Sequence, residues 1–285
     1  MKSIKIAAIK RKAAQLIAEA SFSLPPDITS AIREARSSEQ DPRAKKILGY
    51  ILENARTAEK ERLALCQDCG TVYMDINIGQ GICVQESHRL DKALNEAVGE
   101  VYGQAYLRKS IVSDPFFERK NTCSNTPVQI EVCFGSFEGI DIHVSIKGGG
   151  SENCSYLFML NPLAGPKELI GLLKDAILKD VTRCCPPVII GIGIGSTASR
   201  VTGLARRATF RRLDRRNADP RYRELEEKIL AEVNSSGIGP QGLGGKSTAL
   251  ACNIEFAPCH MATLPVAVSL GCHSLRRASA NISPP

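Results

Sequence analysis

Cys66-Gln67-Asp68-Cys69-Gly70 sets a thiol, a carboxamide and a carboxylate side by side, then a second thiol and a glycine. Helix-like sequence runs up to this stretch, Ala44 to Arg62, with Leu48, Ile51, Leu52 and Ala55 at helical spacing. Strand-like sequence leaves it, Thr71-Val72-Tyr73-Met74-Asp75-Ile76. The five residues therefore lie on a helix-to-strand connection, where backbone can approach a ligand and binding groups concentrate. Gly70 adds backbone angles that other residues avoid. The plainer alternative is a turn with incidental buried cysteines.

Upstream, Asp27 after Pro25-Pro26 and Asp41 before Pro42 read as helix N-caps. Downstream, Asp91 to Tyr106 has helical spacing of Ala93, Leu94, Ala97, Val98 and Val101. Val128 to Phe134 and Ile140 to Ile146 read as strands, the second alternating apolar and polar. Lys167 to Val181 and Leu225 to Val233 read as helices, and Val188-Ile189-Ile190 and Val266 to Leu270 as strands. The pattern predicts a mixed α/β fold, an N-terminal helical portion (residues 1–62) packed on a sheet-containing α/β portion (63–285) as one continuous domain.

With 285 residues, 43% hydrophobic and 24% charged, the composition is that of a globular protein with a sizeable core. No apolar run is long enough to span a bilayer. Lys10, Arg11 and Lys12 break up any signal-peptide core in the basic N-terminal stretch, so a cytoplasmic location is expected. The odd count of eleven cysteines then argues against a disulfide framework and leaves metal binding or buried thiols. Much of the net charge of +7 lies between Arg200 and Arg223, where Phe210 and Tyr222 are the only aromatics. That segment reads as a solvated or partner-facing surface, and nucleic-acid binding has no further support there. A positive field also favours a small anionic substrate.

Several glycine-rich stretches could approach such an anion. Lys147-Gly148-Gly149-Gly150-Ser151-Glu152-Asn153 follows a strand, and its unshielded amides suit an anion; a flexible hairpin tip is the alternative. Gly191-Ile192-Gly193-Ile194-Gly195-Ser196 fits a dinucleotide fingerprint only loosely and has no acidic partner after a second strand, so it reads as a small-residue turn. Gly244-Gly245-Lys246-Ser247 ends like a phosphate-binding loop, but Pro240 occupies the place of its first glycine.

Cys66-x-x-Cys69 has no second such pair to complete a zinc site, and it follows a helix where a thioredoxin motif follows a strand. What survives is a cluster held by cysteines far apart in sequence: Cys66, one of Cys184 and Cys185, and one of Cys259 and Cys272. Three thiolates on a four-iron cluster leave one iron open as a Lewis acid.

These motifs resemble the class I, iron–sulfur-dependent fumarate hydratases, in particular their separate alpha subunit. The matching pieces are Cys66 to Thr71, Asn125-Thr126-Pro127, Lys147 to Asn153, Cys185-Pro186-Pro187, Gly191 to Gly195, Gly237 to Pro240, Gly244 to Lys246, Pro258-Cys259-His260 and Cys272-His273. They run in the family's order from residue 66 to the C-terminus. Cys69 stands where the family usually has threonine, Ser196 where glycine is common, and Thr122-Cys123-Ser124 where Thr-Gly-Asp is usual.

The resemblance implies a [4Fe-4S] cluster on Cys66, Cys185 and Cys272. It implies substrate contacts at Gln67, Arg108, Gly149 and Gly150, with Asp68 and His260 as catalytic residues. Asp68 is then a proton relay or the group that orients the base; the alternative is an acceptor that steadies the Cys66 loop. The reaction implied is interconversion of malate with fumarate and water; L(+)-tartrate dehydratase alpha subunits belong to the same family. A fumarate hydratase beta subunit is implied as partner, in a hetero-oligomer, because the family completes its active site with a second domain. A competing reading from another class is a metal- or nucleic-acid-binding module built on the arginine-rich segment.

Overall fold

The computed structural model describes residues 2–284. Its elements run β1 (Lys2–Lys5), α1 (Ile6–Phe22), α2 (Pro26–Ser38), α3 (Pro42–Glu61), β2 (Thr71–Gly79), β3 (Ile82–Gln85) and α4 (Leu90–Gln104). Then come β4 (Gln129–Gly135), β5 (Ile140–Lys147), the short α5 (Gly149–Glu152), β6 (Ser155–Leu160) and α6 (Pro166–Asp180). The chain closes with β7 (Val188–Gly195), α7 (Ala198–Phe210), α8 (Pro220–Asn234), β8 (Ala249–Ala257), β9 (Leu264–Gly271) and β10 (Arg276–Ile282). The fold is mixed α/β.

Two compact units form. The first takes the residues up to Pro25, Ala55–Gly149 and those from Arg276 onward; the second takes Pro26–Asn54 and Gly150–Leu275. Of the N-terminal helices, α1 belongs to the first unit and α2 to the second, while the sequence of α3 crosses the boundary.

In the first unit a four-stranded sheet has the order β10-β5-β2-β4, and β1 pairs in parallel with β3. β5 runs antiparallel to both its neighbours, while β4 runs parallel to β2. Register puts Val72 opposite Ile146, Met74 opposite Val144 and Ile76 opposite Ile142, so these side chains share one face. Against them pack Ile9, Ala13, Leu16 and Ile17 of α1 and Leu94, Ala97, Val98 and Val101 of α4, all buried. Alternation along two strands and a 3.6-residue stripe along two helices thus meet in one core.

The second unit holds a sheet of order β6-β9-β7-β8, with β7 parallel to β8 and antiparallel to β9. Ile190 and Ile192 of β7 join Val266, Val268 and Leu270 of β9 on one face, covered by Leu169, Leu173 and Ile177 of α6 and by Ile229 and Val233 of α8. On the other face the glycines of β7 meet α7. A Cβ on Gly191 would lie 2.2 Å from the Ala205 carbonyl oxygen, and one on Gly193 would lie 2.3 Å from that of Val201. The expected turn at Gly191–Gly195 is therefore strand, and its glycines let a helix backbone lie directly on a sheet. Asp41 bears out its reading as a cap, its Oδ1 accepting the Ala44 N–H at 2.8 Å with Pro42 opening α3. Asp27 falls in the first turn of α2, and its Oδ2 accepts the Leu213 N–H.

Candidate functional site

In the first unit the connection from α3 to β2 is pinned at both ends. Buried Leu65 donates its N–H to the Ser21 carbonyl at 2.9 Å. Gly70 has φ +68°, and a Cβ there would sit 2.2 Å from the Lys147 carbonyl oxygen, so only glycine fits. Between these anchors Cys66 is half-buried and Gln67 exposed.

The Asp68 carboxylate accepts two backbone N–H groups, Gly70 at 3.1 Å through Oδ1 and Gly149 at 2.6 Å through Oδ2. The second bond joins the Cys66 loop to the start of α5. Asp68 thus steadies the loop, and the amide of Gly149 has a protein acceptor. Asp68→Ala is expected to lower stability by about 2 kcal/mol, the range for hydrogen bonds to a charged group, as read by denaturant unfolding. An unchanged midpoint would show that neither bond contributes.

Cys69 is buried, and its Sγ accepts the Arg108 N–H at 3.3 Å. Burial pushes its thiol above the ordinary value, with the Arg108 amide opposing the shift, so Cys69 stays protonated at neutral pH. The Tyr102 hydroxyl, also pushed up by burial, donates to the Cys69 carbonyl at 2.6 Å. Arg108 is exposed, and its backbone is bound into the same loop as Cys66.

In the second unit Cys185 ends a one-turn 3-10 helix (Val181–Cys184), takes φ +52° and is exposed. Its carbonyl accepts the His273 N–H at 3.4 Å and lies 2.9 Å from the His273 Nδ1. The loop carrying Cys272 is therefore tied to the loop carrying Cys185. Burial holds His273 below its ordinary value, so the ring is neutral at neutral pH and can donate Nδ1–H to that carbonyl. Gln241 closes the arrangement, its backbone N–H and side-chain Nε2 both donating to the Pro186 carbonyl, at 2.8 and 2.9 Å.

The neighbouring Cys184 behaves differently. It is buried against the Ser151 hydroxyl at 3.3 Å, and hydrogen bonding to Cys154, burial and the nearby Cys272 push its thiol well above the ordinary value. It remains a neutral core thiol, whereas Cys185 faces solvent. A Cβ on Gly150 would lie 2.5 Å from the Arg183 carbonyl oxygen, which confines that position to glycine. His260 is exposed on the β8–β9 turn; its Nδ1 accepts the Ala262 N–H at 3.1 Å, which leaves Nε2–H for another partner.

Several arginines of the arginine-rich segment have partners in the fold. Arg211 is half-buried in an ion pair with Glu226 and hydrogen-bonds Asn253 at 3.0 Å. Arg212 pairs with Asp214, Arg221 with Asp219, and Arg206 stacks over Phe210. The guanidinium groups paired with carboxylates are less available to track a phosphate backbone.

Among the described residues, no three His, Cys, Asp or Glu side chains converge where a single metal ion would sit. The donor chemistry does fit an iron–sulfur group: Cys66 and Cys272 are partly accessible and Cys185 exposed, and the described cysteines form no disulfides. Sequence reasoning missed Tyr102, Gln241 and His273 as supports. Asn125 was visible only as part of a motif.

The chain carries exposed and half-exposed thiols on hydrogen-bonded loops, and it matches a family of enzymes. It is a member of the Fumerase (fumarate hydratase) family of hydro-lyases, whose model matches residues 10–281. It is 36% identical to the putative L(+)-tartrate dehydratase subunit alpha of Methanocaldococcus jannaschii over 267 residues, 93% of this chain and 94% of that one. It is 29% identical to the L(+)-tartrate dehydratase subunit alpha of Escherichia coli K12 over 268 residues, 93% of this chain and 88% of that one. No helix among the described residues is long and apolar enough to cross a membrane.

Proposed function

We propose that this chain is the alpha subunit of a cytoplasmic, two-subunit hydro-lyase that interconverts malate with fumarate and water. The observation that carries the reading is the loop Cys66–Gly70, which is bonded at once to the Arg108 amide through Cys69 and to the Gly149 amide through Asp68. A candidate metal ligand, Cys66, and two candidate substrate-binding groups, Arg108 and Gly149, thus lie on segments joined by hydrogen bonds.

Cys66, Cys185 and Cys272, in the portion from residue 63 onward, would hold a [4Fe-4S] cluster. When bound, that group supplies an open iron as Lewis acid for the departing hydroxyl. The chain's own residues do the rest. Arg108 presents a planar two-donor fork to a substrate carboxylate, a geometry that lysine cannot reproduce. The Gln67 carboxamide and the His260 Nε2–H supply further donors. The Gly149 and Gly150 amides stabilise charge on the remaining oxygens, Gly149 once Asp68 yields its place. A released Asp68 carboxylate is then available to relay a proton, which links its steadying and catalytic roles.

The partner is a beta subunit that brings the remaining substrate-binding groups, in a hetero-oligomer. The relatives are named as alpha subunits, which supports this. Their names also favour a second reading, L(+)-tartrate as substrate in place of malate.

Anaerobic reconstitution of the chain with iron, sulfide and the beta subunit tests both. Fumarate hydration is expected from the pair and near-absence of turnover from the isolated chain. Turnover of L(+)-tartrate alone would replace the first reading by the second. Full activity of the isolated chain would remove the two-subunit reading.

A further inference from the structure

Asn125 is 1% exposed, takes φ +62°, and uses both ends of its carboxamide. Its Nδ2 donates to the Gly70 carbonyl at 3.0 Å, and its Oδ1 accepts the Ser110 N–H at 2.8 Å. One side chain therefore spans the loop that carries Cys66 and the segment that carries Arg108. Asparagine tolerates the left-handed backbone better than most residues, which suits it to this corner.

Two other contacts hold the Arg108 segment, and only the first of them reaches the Cys66 loop. The Arg108 N–H bonds directly to the Cys69 Sγ at 3.3 Å, but a thiol sulfur is a weak acceptor. The Leu107 N–H donates to the Tyr102 carbonyl at 3.1 Å, which fixes the segment to α4 and not to the Cys66 loop. The firm tie across the two loops is the carboxamide. Gly70 is itself locked against the Lys147 carbonyl, so Asn125 refers the Arg108 segment to a fixed point at the end of β5.

We propose that Asn125 is a positioning residue for Arg108, setting where the guanidinium stands relative to the Cys66 loop. This rests on the reading of Arg108 as a substrate contact. A guanidinium fork on a long side chain is productive only when its backbone is held, and a displacement of about 1 Å can cost on the order of 100-fold. Without the tie, Arg108 keeps its charge and chemistry and loses its aim.

The test is a double-variant cycle in the reconstituted two-subunit enzyme, with rates expressed per cluster. Asn125→Gly removes the carboxamide and keeps the left-handed backbone free of strain. It is expected to raise KM for the dicarboxylate about tenfold, with a smaller effect on kcat, as loss of binding common to ground and transition states does. Arg108→Lys is expected to raise KM similarly, and the double variant to rise no further, because both changes remove one interaction. Without cluster or partner, the Ser110 amide of Asn125→Gly is expected to exchange hydrogen faster and the unfolding midpoint of the chain to fall, because a buried carboxamide and both its bonds are lost.

An unchanged KM in Arg108→Lys overturns the substrate-contact reading, and the positioning role falls with it. A raised KM in Arg108→Lys, with an unchanged KM in Asn125→Gly or effects that multiply in the double variant, overturns the positioning role alone. Should Asn125→Gly fail to fold, Asn125→Asp keeps the Ser110 acceptor and loses the Gly70 donor. Put through the same cycle, it supports or overturns the positioning role by the same KM comparisons.

Discussion

Cys185→Ser is expected to yield a folded chain that retains little iron after anaerobic reconstitution and whose activity with the partner subunit falls at least about 100-fold. The thiolate, not the thiol, binds metal, and a serine hydroxyl does not ionise near neutral pH. Lewis-acid stabilisation supplies several kcal/mol, and each 1.4 kcal/mol is tenfold in rate, so its loss reaches that size. Stability should hardly change, because the Cys185 side chain is exposed and the variant keeps the carbonyl that holds His273. Cys184→Ala supplies the opposite result. It removes a buried partner of the Ser151 hydroxyl and is expected to cost about 1–3 kcal/mol while iron content per folded chain holds. Iron and acid-labile sulfide analysis, the visible spectrum and urea unfolding separate the pair. Full iron and full activity in Cys185→Ser would remove this thiol from the ligand set.

Local signals in the sequence carried well: Asp41-Pro42 marked the start of α3, and the alternation of Ile140 to Ile146 marked β5. Non-local pairing did not carry. Asp68 reaches Gly149 across 81 residues, and Asn125 reaches Gly70 across 55. A carboxylate or carboxamide has no periodicity that announces its partner, so these ties emerge only once the strands between them have paired. For the same reason β10 was not expected. Arg276-Arg277-Ala278-Ser279-Ala280-Asn281-Ile282 has only two alanines and one isoleucine as apolar residues, yet it pairs along its whole length with β5. Its strand state is decided by its neighbour and not by its own composition.

Gly193→Ala is expected to lower stability by about 3 kcal/mol or more, the upper end of the range for overpacking, and to lower Tm on the order of 10 °C. The added Cβ would meet the Val201 carbonyl oxygen at 2.3 Å, the Ala205 nitrogen at 2.8 Å and the Leu204 Cβ at 2.9 Å. Most of these are backbone atoms of α7, which cannot swing aside as the end of a side chain could. The whole helix must lift, and with it Val201, Ala205 and Ala208, each fully buried. Gly171 gives the reverse sign. It lies within α6, a Cβ there meets nothing within 4 Å, and Gly171→Ala is expected to stabilise by about 0.5–1 kcal/mol through helix propensity. The two alanines make the same chemical change in one unit of the chain, so their difference reports close packing alone. Were β7 a nucleotide-binding loop, its glycines would face solvent and Gly193→Ala would leave Tm near the parent's. Every residue of β7 is buried, which is why the loss is expected in stability.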